Sequence, residues 1–261
     1  YHWPTIGSME DLGTASLDDV RAFFSTWYRP DNCVLTVVGD FVAAEARRLV
    51  DDYFGDIAPA GQFPPFDLVR REARSERREV HPSRVPLPRI YRIYHLPRMG
   101  DRDWVAGDLL STVLTSDKAS RLERALVYEQ QIANDVAAYV LPTEATGMLM
   151  LHATAKEGVE IERLEQAIDA ELERLAGGRI SADELTRAKN RAEVDHAHQL
   201  ENYDARADFI GMLTTYFNDP ERISTWMDPY RAATADDLLR VAQQSLVPEN
   251  RVTSIFVPEG S

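Results

Sequence analysis

SLDDVRAFFSTWYRPDNCVLTVVGD (residues 16–40) and TADDLLRVAQQSLVPENRVTSIFVP (residues 234–258) align without a gap at an offset of 218. Ser16 faces Thr234, Asp18 and Asp19 face Asp236 and Asp237, Pro30 faces Pro248 and Asn32 faces Asn250. Only 5 of the 25 positions are identical, so what the copies share is mainly an order of physical signals. A Ser/Thr cap with acids in the first turn opens an amphipathic helix. Pro and Asn stop it, and a β-branched run continues as a strand. A unit of about 218 residues that closes at 234–258 shows only its closing section at 16–40. The expected organisation is therefore 1–57 as the C-terminal part of a first, truncated domain, 58–80 as a linker, and 81–261 as a complete second domain. Most of the first unit is expected upstream of Tyr1.

Outward from the repeat, the spacing predicts a strand at 33–39 and a helix at 41–55 with Ala43, Ala46, Val50 and Phe54 on one stripe. Residues 56–79 hold Pro59, Gly61, Pro64, Pro65 and a mixed-charge run, which is linker composition. A strand at about 85–95 and a helical region at 103–131 follow. Strands near 134–141 and 147–156 flank a turn, and helices are expected at 159–176, 181–217 and 234–246 before a last strand at 251–257. Strands segregate from long helices and hairpins join some of them, so the fold class is α+β: a mainly antiparallel sheet packed against long helices.

Composition narrows the function classes. The chain is 44% apolar and 28% charged, ordinary for a globular protein with a real core. No apolar run approaches the roughly 18 residues needed to span a bilayer, so no membrane crossing is expected. A net charge of −14 argues against a nucleic-acid partner. The basic residues at 70–78 alternate with Glu72 and Glu76 and lack an aromatic platform. The single cysteine, Cys33, rules out an internal disulfide and, with no nearby His to activate it, is expected as a packed thiol. The sequence opens at Tyr1 with no leader pattern, so the compartment is left open.

None of His2, His81, His95, His152, His196 and His198 has a histidine four residues on, the spacing a helical zinc peptidase site requires. His196 lies on the apolar stripe Leu185, Ala188, Ala192, His196, Leu200, while His198 is about 200° away at roughly 100° per residue. Two ligands on opposite faces cannot share one ion, so this pair reads as structural. No phosphate loop, dinucleotide glycine pattern or serine nucleophile elbow occurs.

The sequence resembles the M16 family of zinc metallopeptidases. The resemblance is carried by YHWPTIGSMEDL, DVRAFFSTWYRPDNCVLTVVGD and LVDDYFGDI in the first piece, and by SRLERALVYEQ, ADELTRAKNRAE, LENYDARA and TADDLLRVA in the second. It implies a clamshell of four homologous domains, in one chain or across two subunits, around a peptide-sized chamber. It implies zinc held by an HxxEH motif and a distal glutamate, all upstream of Tyr1. No cofactor is thus expected in this fragment, whereas zinc is expected in the intact protein. Active members place an Arg and a Tyr, seven apart, across the chamber to position substrate and stabilise the oxyanion. Aligned on Ser120, Arg121 and Leu122, these positions hold Val127 and Asn134. Valine donates no hydrogen bond and asparagine donates only at shorter reach, and losing such donors typically costs about 10²–10³ in rate.

Two functions follow from the resemblance. One is a structural, substrate-enclosing portion of a zinc endopeptidase acting on oligopeptides or unfolded segments, with the zinc site upstream or in a partner. The other is a degenerate, non-peptidase scaffold or partner-binding subunit. In either case the fragment alone is expected to be inactive. The expected partners are a peptide substrate, taken through an edge strand, and the opposite half of the clamshell or a partner M16 subunit. Apolar surface on the first piece also predicts self-association.

Overall fold

The computed structural model describes residues 5–59, 61, 63 and 75–259. The expected linker at 58–80 falls largely outside the described residues. The chain forms two compact units: residues 1–67 together with 200–223, and residues 68–199 together with 224–261. The stretch 200–223, far along the sequence, thus groups with the first 67 residues.

The second unit is built on a five-stranded sheet of β1 (Arg77–Ser83), β2 (Arg89–Leu96), β3 (Ala133–Leu141), β4 (Gly147–Ala155) and β5 (Arg251–Pro258), in the order β1-β5-β2-β4-β3. β1 runs parallel to β5, and the other neighbours are antiparallel. Helices α4 (Arg102–Thr115), α5 (Ile161–Ala176) and α9 (Ala235–Ser245) pack against the sheet. Strict alternation in β2 and β4 sends Ile90, Arg92, Tyr94, Leu149 and Leu151 into that core. α4 buries Trp104, Val105, Ala106, Leu109, Leu110, Val113 and Leu114, nearly its whole circumference. Gly147 is required where β4 starts: a Cβ there would lie 2.0 Å from the Pro97 carbonyl oxygen.

The two repeat copies match bond for bond. In α2 (Leu17–Trp27) Ser16 and Asp19 form a capping box, and in α9 Thr234 and Asp237 form the same box. The Asp19 N–H donates to Ser16 Oγ at 3.2 Å, and the Asp237 N–H donates to Thr234 Oγ1 at 3.2 Å. Each helix stops at a 3₁₀ turn, Pro30–Asn32 or Pro248–Asn250. Asn32 Nδ2 then donates to the Trp27 carbonyl at 3.0 Å, as Asn250 Nδ2 donates to the Ser245 carbonyl at 2.9 Å.

They diverge at the strand. β5 is paired on both sides, whereas the strand expected at 33–39 has no ladder among the described residues. Cys33 keeps extended angles (φ −128°, ψ 135°), so the backbone is ready for a sheet but has no neighbouring strand to bond. Val34, Leu35 and Val37 are exposed as a result. The remaining elements of the first unit are α1 (Met9–Thr14), α3 (Ala43–Phe54) and α7 (Tyr203–Phe217).

Two expected helices are broken in two. The helix expected at 181–217 divides into α6 (Ala182–Glu201) and α7, because Asn202 turns extended and its Oδ1 accepts from the Asp204 and Ala205 N–H groups. The region expected at 103–131 divides into α4 and a π-helix, Glu123–Glu129, after a turn in which Ser120 Oγ accepts from the Asp117 N–H. A short helix, α8 (Asp228–Ala232), had no counterpart in the sequence reading.

Candidate functional site

The two positions singled out in the sequence lie on either side of one bend. Val127 sits half-buried on the π-helix, which closes with the Gln130 N–H donating to the Ala125 carbonyl at 3.0 Å. Gln131 then adopts φ +53°, and the Ile132 N–H returns to the Leu126 carbonyl at 2.9 Å, turning the chain into β3. Asn134 falls at a register shift between Ala133 and Asp135, so it bulges out of the β3–β4 ladder and is exposed. Its Nδ2 donates to the Ala155 carbonyl at 3.4 Å. With Pro86, Leu87, Lys156 and Glu157, Asn134 lines an open cleft of about 580 Å³. An apolar side chain and an amide already engaged by backbone offer no pair of donors for an oxyanion.

The foundation of this bend is an ion pair. Arg121 Nε donates to Glu184 Oε1 at 2.7 Å and Nη2 donates to Oε2 at 3.0 Å, tying the entry of the π-helix to the first turn of α6. Glu184 also accepts from the Ser181 N–H at 2.8 Å. Burial alone would raise its carboxyl, but the Arg121 and Ser181 bonds outweigh it and bring the pKa down to about 2.

Beside the bend, burial lowers the His152 imidazole, and the Arg89 charge acts the same way. Asp135 stands 4.0 Å from His152 Nε2 and 3.5 Å from Arg89 Nη2. His152 belongs to a row of rings on the sheet face opposite the buried residues. Ring centroids are 5.2 Å apart for His81–Phe256, 5.7 Å for Phe256–Tyr91, 5.7 Å for Tyr91–His152 and 6.2 Å for His152–Tyr139. The row crosses all five strands. Sequence reading missed it, because each strand contributes a single ring to the row.

A second feature lies between α4, α6 and α8: a cavity of about 200 Å³ lined by Asp108, Asp195, His196, Gln199, Trp226 and Tyr230 among others. His196 is half-buried there while His198 is exposed, as the helical angles require. Cys33, expected as a packed thiol, is exposed instead, because its segment is unpaired.

Zinc, the ion implied by the resemblance, does not fit these side chains. No group of three or more His, Cys, Asp or Glu among the described residues could hold a metal ion. His81, His152 and His196 each face different neighbours. No helix of the described residues is long and apolar enough to cross a membrane.

Sheet, helices and bend define a mixed α/β domain whose described residues hold no metal-ligand set. The family described as the peptidase M16 inactive domain matches residues 14–192, more than half of the chain, and the chain belongs to that family. It is 26% identical over 262 residues to the zinc protease PqqE of Helicobacter pylori, covering 98% of this chain and 58% of that protein. A crystal structure of a protease from Helicobacter pylori superposes with a TM-score of 0.90 at 25% identity, covering 99% of this chain and 63% of that one. The first half of the periplasmic protease PqqL from Escherichia coli shares the fold, with a TM-score of 0.75 at 18% identity over 97% of this chain and 57% of that one. The chain therefore spans less than two thirds of the length of these relatives.

Proposed function

We propose that these residues are the structural, substrate-enclosing portion of an M16 zinc endopeptidase acting on oligopeptides or unfolded segments. The metal centre in this reading is carried by another stretch of the polypeptide or by a partner subunit. The organisation that goes with it is a closing section of a first repeat at 1–57, a connection at 58–80 and a second repeat at 81–261. The observation that carries the reading is membership of the inactive-domain family together with relatives that are zinc proteases. The opposite half of the clamshell would then supply the substrate clamp, because Val127 and Asn134 cannot.

Peptide cleavage by the intact protein, followed with a quenched fluorogenic peptide mixture, tests the proposal. Expected is turnover that stops with a chelator and returns with zinc, and no turnover by residues 1–261 alone. An intact protein that binds no zinc and cleaves nothing would defeat it.

Val127 and Asn134 favour a second reading, a non-peptidase scaffold that pairs with an active subunit. The two separate on the double variant V127R/N134Y within the intact protein. A chain that receives its clamp from elsewhere gains little from the variant. A degenerate subunit whose partner provides zinc gains activity.

A further inference from the structure

Asp108 sits in the middle of α4, in the run WVAGDLLSTV (residues 104–113), whose other members are almost all apolar or small. Tyr230, 5% exposed, donates its hydroxyl to Asp108 Oδ2 at 2.8 Å. Among the described residues no Lys or Arg bonds the Asp108 carboxyl. The charged side chain that bears on it is another carboxylate, Asp195 of α6. Asp195 has its own cation in Arg191, at 2.8 Å on the exposed side of α6. Arg231 of α8 is engaged by Glu193 at 2.9 Å and Asp228 at 3.2 Å. His196 is held toward its neutral form, by burial first and by Arg231 second. The cavity therefore carries one half-buried carboxylate that no Lys or Arg bonds among the described residues, with Gln199 and Trp226 also in its lining.

We propose that this cavity binds a small organic monocation, an alkylammonium or guanidinium group, with Asp108 as its counter-ion. A half-buried carboxylate whose bonded side-chain partner is a neutral hydroxyl gains from a cation that reaches it. A cavity of about 200 Å³ admits a group of guanidinium size and leaves room for the stem of a basic side chain. The donor set does not suit a metal, since Asp108, Asp195 and His196 are not grouped as ligands. The net charge of −14 draws cations of either source, a free amine or a basic residue of a peptide. Trp226 adds an aromatic ring to the cavity lining, the kind of group such cations favour. The proposal is independent of the peptidase reading, because the cavity lies wholly within the second unit and away from Val127 and Asn134.

The test is a titration of the 261-residue chain with methylguanidinium and, separately, butylammonium, following the Trp226 indole N–H by NMR after its assignment with Trp226→Phe. Parallel titrations use a short peptide with one Arg and the same peptide with Gln in its place. Saturable shifts are expected for both cations, with affinity falling at least tenfold in Asp108→Asn, which keeps the Tyr230 hydrogen bond. A second variant, Gln199→Lys, puts a tethered ammonium into the cavity and should abolish binding while leaving the chain folded. A tighter Arg peptide identifies a peptide source, and equal affinities of peptide and free cation identify a metabolite-like amine. No saturation with any cation, or unchanged binding in both variants, overturns the proposal.

Discussion

Arg92 has no exposed surface, and its two terminal nitrogens are bonded while Nε is not. Its Nη1 and Nη2 donate to the two oxygens of Asp169 at 2.6 and 3.0 Å. Asp169 also takes Nη1 of Arg251 at 2.6 Å, and Arg251 Nε reaches Glu76 at 2.6 Å. One carboxylate thus serves two guanidiniums beneath the sheet, and α5 is joined through it to β2 and β5. Removing the shared member leaves Arg92 only Glu165, at 3.6 Å, and Arg251 only Glu76 as carboxylate partners in a medium of low dielectric. Asp169→Ala is expected to cost about 3–5 kcal/mol in urea unfolding, several times more than Arg191→Ala at an exposed pair, worth about 0–1 kcal/mol. Equal losses for the two variants would contradict the buried network. Glu184 gives the complementary prediction in pH. Its folded-state pKa of about 2 is below the ordinary 4.5, so its contribution is fully present above about pH 4.5 and fades as pH falls toward 2. Unfolding midpoints measured across that window should drop, and Glu184→Gln should flatten the drop.

At the scale of elements, the bend after the π-helix stores backbone strain. Gln131 holds φ +53°, a region that costs a residue with a Cβ about 1 kcal/mol or more and costs glycine almost nothing. Gln131→Gly is expected to stabilise the chain by up to about 1 kcal/mol, seen as a higher thermal midpoint, while Gln131→Val destabilises it. The elements also show what could be read in advance. Both capping boxes, both Pro–Asn stops and the alternating strands β2 and β4 follow from local chemistry, so a sequence carries them openly. The Asn202 cap is equally local but sits inside a continuous helical pattern, and the π-helix leaves no local sign, because nothing local separates a five-residue hydrogen-bond step from a four-residue one. The extended segment at 33–38 fails as a strand for a non-local reason: β-branched residues set the angles, but a ladder needs a second chain segment. Val127 and Asn134 are placed by alignment of the SRL element alone, and the structure adds the bend that joins them. The aromatic row was not legible, since its rings come from strands far apart in sequence. Asp108 left a signal, the lone carboxylate in the apolar run 104–113 of α4.

For the molecule as a whole, the two units differ most in what they leave uncovered. The second unit buries most of its large apolar side chains between the sheet and α4, α5 and α9, leaving Val80, Tyr128, Tyr139 and Val194 exposed. The first exposes Phe23, Phe24, Leu35, Val37, Phe41, Tyr53 and Phe54, all 46% exposed or more, with an extended segment whose N–H and C=O groups enter no ladder among the described residues. Apolar surface on this scale marks an interface, and an unpaired extended run is a template for another strand. Isolated, these 261 residues should therefore associate with their own kind when no other M16 half is present. Sedimentation velocity over a concentration series is expected to show species heavier than 29.5 kDa, and a hydrophobic dye should bind the monomer that remains at dilution. Leu35→Lys with Val37→Lys places two charges on the extended run and should shift the population toward monomer without lowering the thermal midpoint of the second unit, whose core contains neither residue. Sharply monomeric behaviour with no dye binding would mean that the first unit buries this surface by itself, and the reading of residues 1–57 as the closing part of a larger repeat would fall with it.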